Sequence, residues 1–155
     1  MWAEHQEQNQ TPVNLFNGIT DVVNKFARLP HGVCSQNSQS NIRNVLSTNQ
    51  INAPFKAIVG YDDVSNGHQK PDPFGGIKCI KSIFGHTDKQ LLMYIGDHEA
   101  DTQFARNIEQ HLGGSCKVIA VAAAYSGAQP KRWNAQPDYV AHQVEDLLSI
   151  IGKYA

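Results

Sequence analysis

Cysteine is scarce in this chain of 155 residues: only Cys34, Cys79 and Cys116, an odd number with no Cys-x-x-Cys pair. That spacing leaves no disulfide framework and no zinc knuckle to build, so the three thiols are expected to be buried and structural. An excess of either charge is also missing. Lys plus Arg (13) nearly balances Asp plus Glu (14), for a net charge of −1, which argues against binding nucleic acid through a broad basic face. No apolar run approaches the roughly 20 residues that cross a bilayer. Met1 to Glu7 has neither the basic flank nor the apolar stretch of a secretion signal. No membrane partner and a cytoplasmic location are the expectation. A Gly-x-Gly-x-x-Gly turn after a strand is absent, which removes the dinucleotide-binding reading. Acidic residues after the first strand, which a receiver-type signalling domain would need, are absent too.

What is present reads as a folded domain, 41% hydrophobic and 17% charged, long enough for a core of its own. Residues 4–10 are a polar stretch with nothing to pack against. Thr11-Pro12 resembles a helix start, and Leu15, Ile19, Val22, Phe26 and Leu29 then recur at helical spacing, with Gly18 a possible early break and Pro30 the end. Strands are expected at 31–35, 57–61, 91–95 and 118–122, with a short edge strand at 138–141. Helices are expected over about 40–48, over about 73–84 with Phe74, Ile77, Ile80 and Phe84 as its apolar positions, and over about 99–112 with Ala100, Phe104, Ile108 and Leu112, with a last one carrying Val144, Leu147, Leu148 and Ile151. The continuous apolar run Leu91 to Ile95 has the mark of a strand covered on both faces. Strands alternating with helices predict an α/β, three-layer, Rossmann-like parallel sheet. Ligands of such sheets bind beyond the carboxyl ends of the strands.

Three of those ends carry chemistry. Ser35-Gln36-Asn37 follows the first strand, Lys70-Pro71-Asp72-Pro73 opens the helix after the second, and Gly96-Asp97-His98-Glu99-Ala100-Asp101 follows the third. Together they supply a hydroxyl, an ammonium and two carboxylates. A carboxylate pair favours a hard cation such as Mg²⁺, a hydroxyl with backbone N–H groups suits phosphate oxygens, and a lysine offers a point positive charge. Each has a plain alternative: Ser35 as a turn or cap residue, Lys70 as a solvated surface lysine, Asp101 as an acid favoured at a helix N-terminus.

In order and placement these motifs resemble the haloacid dehalogenase-like (HAD) hydrolases, a large phosphatase superfamily, over roughly residues 15–152. Val33-Cys34-Ser35-Gln36-Asn37 is similar to the family's second motif, Lys70-Pro71-Asp72-Pro73 to its third, and Tyr94-Ile95-Gly96-Asp97-His98-Glu99-Ala100-Asp101 to its fourth. Pro137-Asp138-Tyr139-Val140 resembles its last short strand. The resemblance implies that Ser35, Gln36 and Asn37 bind the substrate phosphate and that Lys70 offsets charge on the nucleophile and the transferring phosphoryl group. It implies that Asp97 and Asp101 serve Mg²⁺. Glu99 is a weaker candidate, and His98 reads as a loop residue. The implied substrate is a small phosphorylated metabolite, such as phosphoglycolate or a sugar phosphate.

One part of the family pattern is missing. Its first motif, Asp-x-Asp on an apolar strand, supplies the nucleophile and the acid/base, and no Asp-x-Asp occurs here. Asp62-Asp63 is the nearest candidate and follows the wrong strand. Residues 1–14 are therefore expected to be a cap or linker remnant, and 15–155 a core lacking its first, middle strand. The strands ending at Ser35 and Asp97 would then leave a slot or pair directly, and a complementing N-terminal segment or self-association would fill the deficit. The chain is expected to be inactive alone. The alternative is a non-catalytic domain that binds phosphate or a protein partner.

Overall fold

A computed structural model of the chain describes residues 15–155; the expected remnant at 1–14 lies outside them. The elements run α1 (Ile19–Lys25), β1 (His31–Cys34), α2 (Gln39–Thr48), β2 (Phe55–Val59), α3 (Phe74–Phe84), β3 (Leu91–Gly96), α4 (Glu99–His111), β4 (Lys117–Ala123), β5 (Tyr139–Ala141) and α5 (Asp146–Gly152). All strand pairings are parallel, the α/β Rossmann-like pattern expected from the alternation. The residues divide into two compact units.

The first unit comprises the residues up to Gln69 together with Phe74–His86. Its strands β1 and β2 pair from Gly32↔Ala57 to Cys34↔Val59. The first helix begins only at Ile19, because Gly18 stands just before it at φ +93°, a left-handed conformation that ends any helix arriving from upstream. Val23, Ile42, Leu46 and Ile51 form a buried cluster, with Leu15, Ile19, Val33, Phe55 and Ile58 packed around it. Ala57, Val59 and Cys79 form a second, against Cys34, Val64 and Ile83. Burial pushes the Cys79 thiol up to about 11, and Cys79 is the inert structural thiol expected. Cys34 is only half-buried.

The second unit comprises Lys70–Pro73 and Thr87–Ala155. Its sheet has the order β3-β4-β5, with β3 in register from Leu91↔Lys117 to Gly96↔Ala122. The central strand β4 is buried from Val118 to Ala123, and Phe104, Ala105, Ile108, Cys116, Ala141 and Leu147 complete the core. Here one expectation fails. Leu91 is 52% exposed and Ile95 37%, so β3 is not covered on both faces. Among the described residues it is also the edge strand of the β3-β4-β5 sheet, and its apolar run reflects the face that meets α4 together with an uncovered remainder. The buried face of α4 also departs from Ala100-Phe104-Ile108. It runs through Asp101, Phe104, Ala105 and Ile108, with Ala100 exposed, so a carboxylate occupies a core position.

Asp138 ties this unit together. Its Oδ2 accepts from Arg106 Nη1 at 2.9 Å and from the Ala120 N–H at 2.8 Å, while Arg106 Nη2 donates to the Gln136 carbonyl. Burial alone would raise the Asp138 carboxyl. The hydrogen bonds from Arg106 and Ala120 and the charges of Arg106 and Lys117 outweigh it and hold the group below its ordinary value of 3.8. A depressed folded value means stability that is fully present above the unfolded pKa and lost as pH falls through the folded one. Urea unfolding followed from about pH 6 to about pH 2 should therefore show an acid loss that is shallower in Asp138→Asn. An unchanged acid limb in that variant would contradict the arrangement.

Candidate functional site

The site is built where β3 gives way to α4. Strand alternation sends Tyr94 and Gly96 to the same side. Helix α4 then starts with a reciprocal pair: the His98 N–H donates to Asp101 Oδ2 at 3.1 Å, and the Asp101 N–H donates to the His98 carbonyl at 3.0 Å. This satisfies two backbone groups that a helix start would otherwise leave open. Gly96 is required by close approach, since a Cβ there would fall onto the Asp101 side chain.

The other Asp101 oxygen, Oδ1, accepts from Lys70 Nζ at 2.6 Å, and the two side chains are only 13% (Lys70) and 10% (Asp101) exposed. Lys70 Nζ also donates to the Tyr94 hydroxyl at 3.0 Å. It lies 5.5 Å from the Tyr94 ring centroid and 5.8 Å from that of Phe104, within the range where a cation is attracted to a ring. These two rings meet edge-on at 5.0 Å. Asn107 Nδ2 on α4 donates to the Pro71 carbonyl at 2.9 Å, which pins the Lys70–Pro73 segment to the helix. Lys70 is thus not a solvated surface lysine. It is a nearly buried cation whose counter-ion is the core carboxylate of α4.

Asp97 is placed differently. Its side chain is 39% exposed, with His98 Nε2 3.7 Å from Oδ1. Beyond the end of β4, Tyr125 sits on a short 3-10 turn, Ala124–Ser126. Its hydroxyl pKa is raised, first by burial and then by the charge of Asp97. Among the described residues no group of three or more His, Cys, Asp or Glu is placed to hold a metal. Asp97 offers one open carboxylate, whereas both Asp101 oxygens are engaged. That donor set fits a hard cation bound through a single carboxylate, with water and a phosphate completing its sphere. It does not fit a protein cage.

In the first unit, Ser35 follows β1 and donates its N–H to the Val59 carbonyl at 3.0 Å. Its Oγ accepts from the Asn37 N–H at 3.1 Å, the turn expected of serine. Gln36 is half-buried. Asn37 is 6% exposed; its Oδ1 accepts from Asn41 Nδ2 at 2.9 Å and its carbonyl from the Tyr61 N–H at 2.8 Å, bonds that hold the loop. The structure therefore brings together Lys70 and Asp101, adjacent to Asp97 in the chain, while Ser35, Gln36 and Asn37 belong to the other unit.

Several roles were not legible in the sequence. Asp62 and Asp63 brace a loop: Asp62 Oδ1 accepts from the Gln39 N–H at 2.9 Å, and Asp63 Oδ2 accepts from Gln39 Nε2 at 2.9 Å and from the Gly60 N–H at 2.8 Å. Glu99 is a brace as well, accepting from the Ala135 N–H at 2.8 Å. Tyr94 was missed; its signal was an aromatic two residues before Gly96, on the side that meets α4.

A parallel α/β architecture with a lysine–carboxylate pair at the carboxyl end of a strand is an arrangement suited to oxyanion chemistry. Comparison with known proteins makes this specific. The sequence profile of the haloacid dehalogenase-like hydrolases matches residues 1–114, and the chain belongs to that family. Pyrophosphatase PpaX of Listeria welshimeri is 31% identical over 120 residues, covering 77% of this chain and 50% of its own. The phosphoglycolate phosphatase of Escherichia coli is 25% identical over 140 residues, covering 89% of this chain and 51% of its own. YfnB of Bacillus subtilis, a HAD-type protein solved with bound magnesium, superposes with a TM-score of 0.68 at 17% identity, over 89% of this chain and 56% of that one. The chain spans about half the length of the curated relatives it matches.

Proposed function

We propose that this chain carries the phosphate-handling residues of a hydrolase acting on small phosphate esters, the class to which the phosphoglycolate in one relative's name belongs. The observation that carries the reading is the nearly buried Lys70–Asp101 pair, with Asp97 open one turn away. A cation held in this way serves phosphoryl transfer by stabilising charge on the transferring group without having to reorganise. Asp101 fixes Lys70 and caps α4 at once, so it acts through Lys70 rather than on the substrate. Asp97 would hold Mg²⁺, and that ion would supply charge neutralisation at the phosphoryl oxygens. The Ser35 hydroxyl would donate to a phosphate oxygen, a role that rests on its match to the second motif.

The sequence contains no Asp-x-Asp, the motif that in this family would supply the carboxylate for an aspartyl-phosphate. A colorimetric phosphate-release assay with Mg²⁺ and small phosphate esters is expected to show no turnover. Clear turnover that disappears in Asp97→Asn would overturn the account of the nucleophile. A second reading, a non-catalytic domain that takes a complementing strand or a second copy of itself, is favoured by one observation. Among the described residues β3 stands at the edge of its sheet, with Leu91 and Ile95 exposed on it, and an open apolar edge is a template for pairing with another chain.

A further inference from the structure

We propose that the Tyr94 hydroxyl is a positioning group for Lys70: it fixes where the ammonium stands and so where its remaining N–H is offered. A lysine ammonium has three donors. Among the described residues, one goes to Asp101 Oδ1 at 2.6 Å and one to the Tyr94 hydroxyl at 3.0 Å, which leaves one for an incoming oxygen. With Asp101 alone, Nζ could swing about a single oxygen. With two polar anchors and the Tyr94 and Phe104 rings at 5.5 and 5.8 Å, its position is set, and the tetrahedral geometry of nitrogen then sets the direction of the third N–H. The anchor is neutral, so it orients the ammonium without adding a second negative charge beside the one from Asp101. That the oxygen addressed is a phosphate oxygen rests on the function proposed above; the positioning itself does not.

Tyr94→Phe removes the oxygen and keeps the ring that packs on Phe104. Phe104→Leu removes a ring and keeps the hydroxyl. Nitrogen-resolved NMR of lysine ammonium groups at low temperature detects those held by hydrogen bonds, and the Lys70 signal is assigned by its loss in Lys70→Met. The expected result is a Lys70 signal in the unsubstituted chain and in Phe104→Leu, lost in Tyr94→Phe while the backbone amide spectrum is unchanged. Affinity for inorganic phosphate with Mg²⁺ should fall about tenfold in Tyr94→Phe, as for loss of one hydrogen bond to a charged group. A signal that survives in Tyr94→Phe, or one that vanishes only in Phe104→Leu, would overturn the proposal. So would phosphate affinity that stays the same when the signal is lost. If the unsubstituted chain binds no phosphate at all, the proposed function falls, while the ammonium spectra still decide the role of Tyr94.

Discussion

Asp101→Ala is expected to lower the unfolding free energy of the chain by about 3–5 kcal/mol, the cost of breaking a buried ion pair by removing one partner. Three consequences coincide. Lys70, 13% exposed, keeps its charge and loses its counter-ion. The His98 N–H loses its acceptor at the start of α4, by itself a loss of about 0.5–2 kcal/mol. The space over Gly96, which the Asp101 side chain now fills, empties. These terms share one side chain and will not add in full. Asp101→Asn keeps the volume and an acceptor for the His98 N–H but drops the charge, so it should fall between the parent and alanine. Lys70→Met combined with Asp101→Asn should recover part of the loss, because no uncompensated charge then remains. Urea unfolding of the four proteins measures the series. A loss below about 1 kcal/mol in Asp101→Ala would mean that the pair behaves as a solvated surface contact, and the case for a preorganised Lys70 would go with it.

The same residue shows how far the sequence can be read. The spacing Gly96-Asp97-x-x-x-Asp101 announces two acids separated by a helical turn, but it does not say that one is buried and the other open. That division comes from the rotation of α4 on the sheet, which turns Asp101 toward the core and Ala100 toward solvent. The rotation is possible only because Lys70, 31 residues away in sequence, supplies the counter-charge. Local pattern cannot carry such a long-range pairing. Element types and order were legible because hydrophobic periodicity is a local signal, and the Gly18 break was legible because glycine acts on its own backbone. The exposure of β3 was not. An apolar run looks the same whether another layer packs over that face of the sheet or not, so Leu91 and Ile95 read as core. Asp62-Asp63 is the nearest thing to a catalytic acid pair in the sequence, yet each has one oxygen taken by backbone or amide donors of Gln39 and Gly60. What separates a brace from a reagent here is the supply of donors across the loop, and only coordinates show it.

Phe104 and Phe74 put that lesson to a quantitative test, since both were read as apolar positions of amphipathic helices. Phe104 is 1% exposed and Phe74 44%. Phe104→Ala removes a nearly fully buried ring from the second unit's core and leaves a cavity against Tyr94, so a loss of about 3–5 kcal/mol is expected. Phe74 meets the His68 ring at 5.0 Å but is 44% exposed, and Phe74→Ala should cost less than about 1 kcal/mol. Urea midpoints with unchanged slopes would confirm that the native state, rather than the unfolded chain, is what the cavity affects. Equal losses in the two variants would mean that burial does not distinguish these rings in solution. The packing that backs Tyr94, and through it Lys70, would then be looser than a preorganised cation requires, because a side chain can hold an ammonium in place only if it is held in place itself.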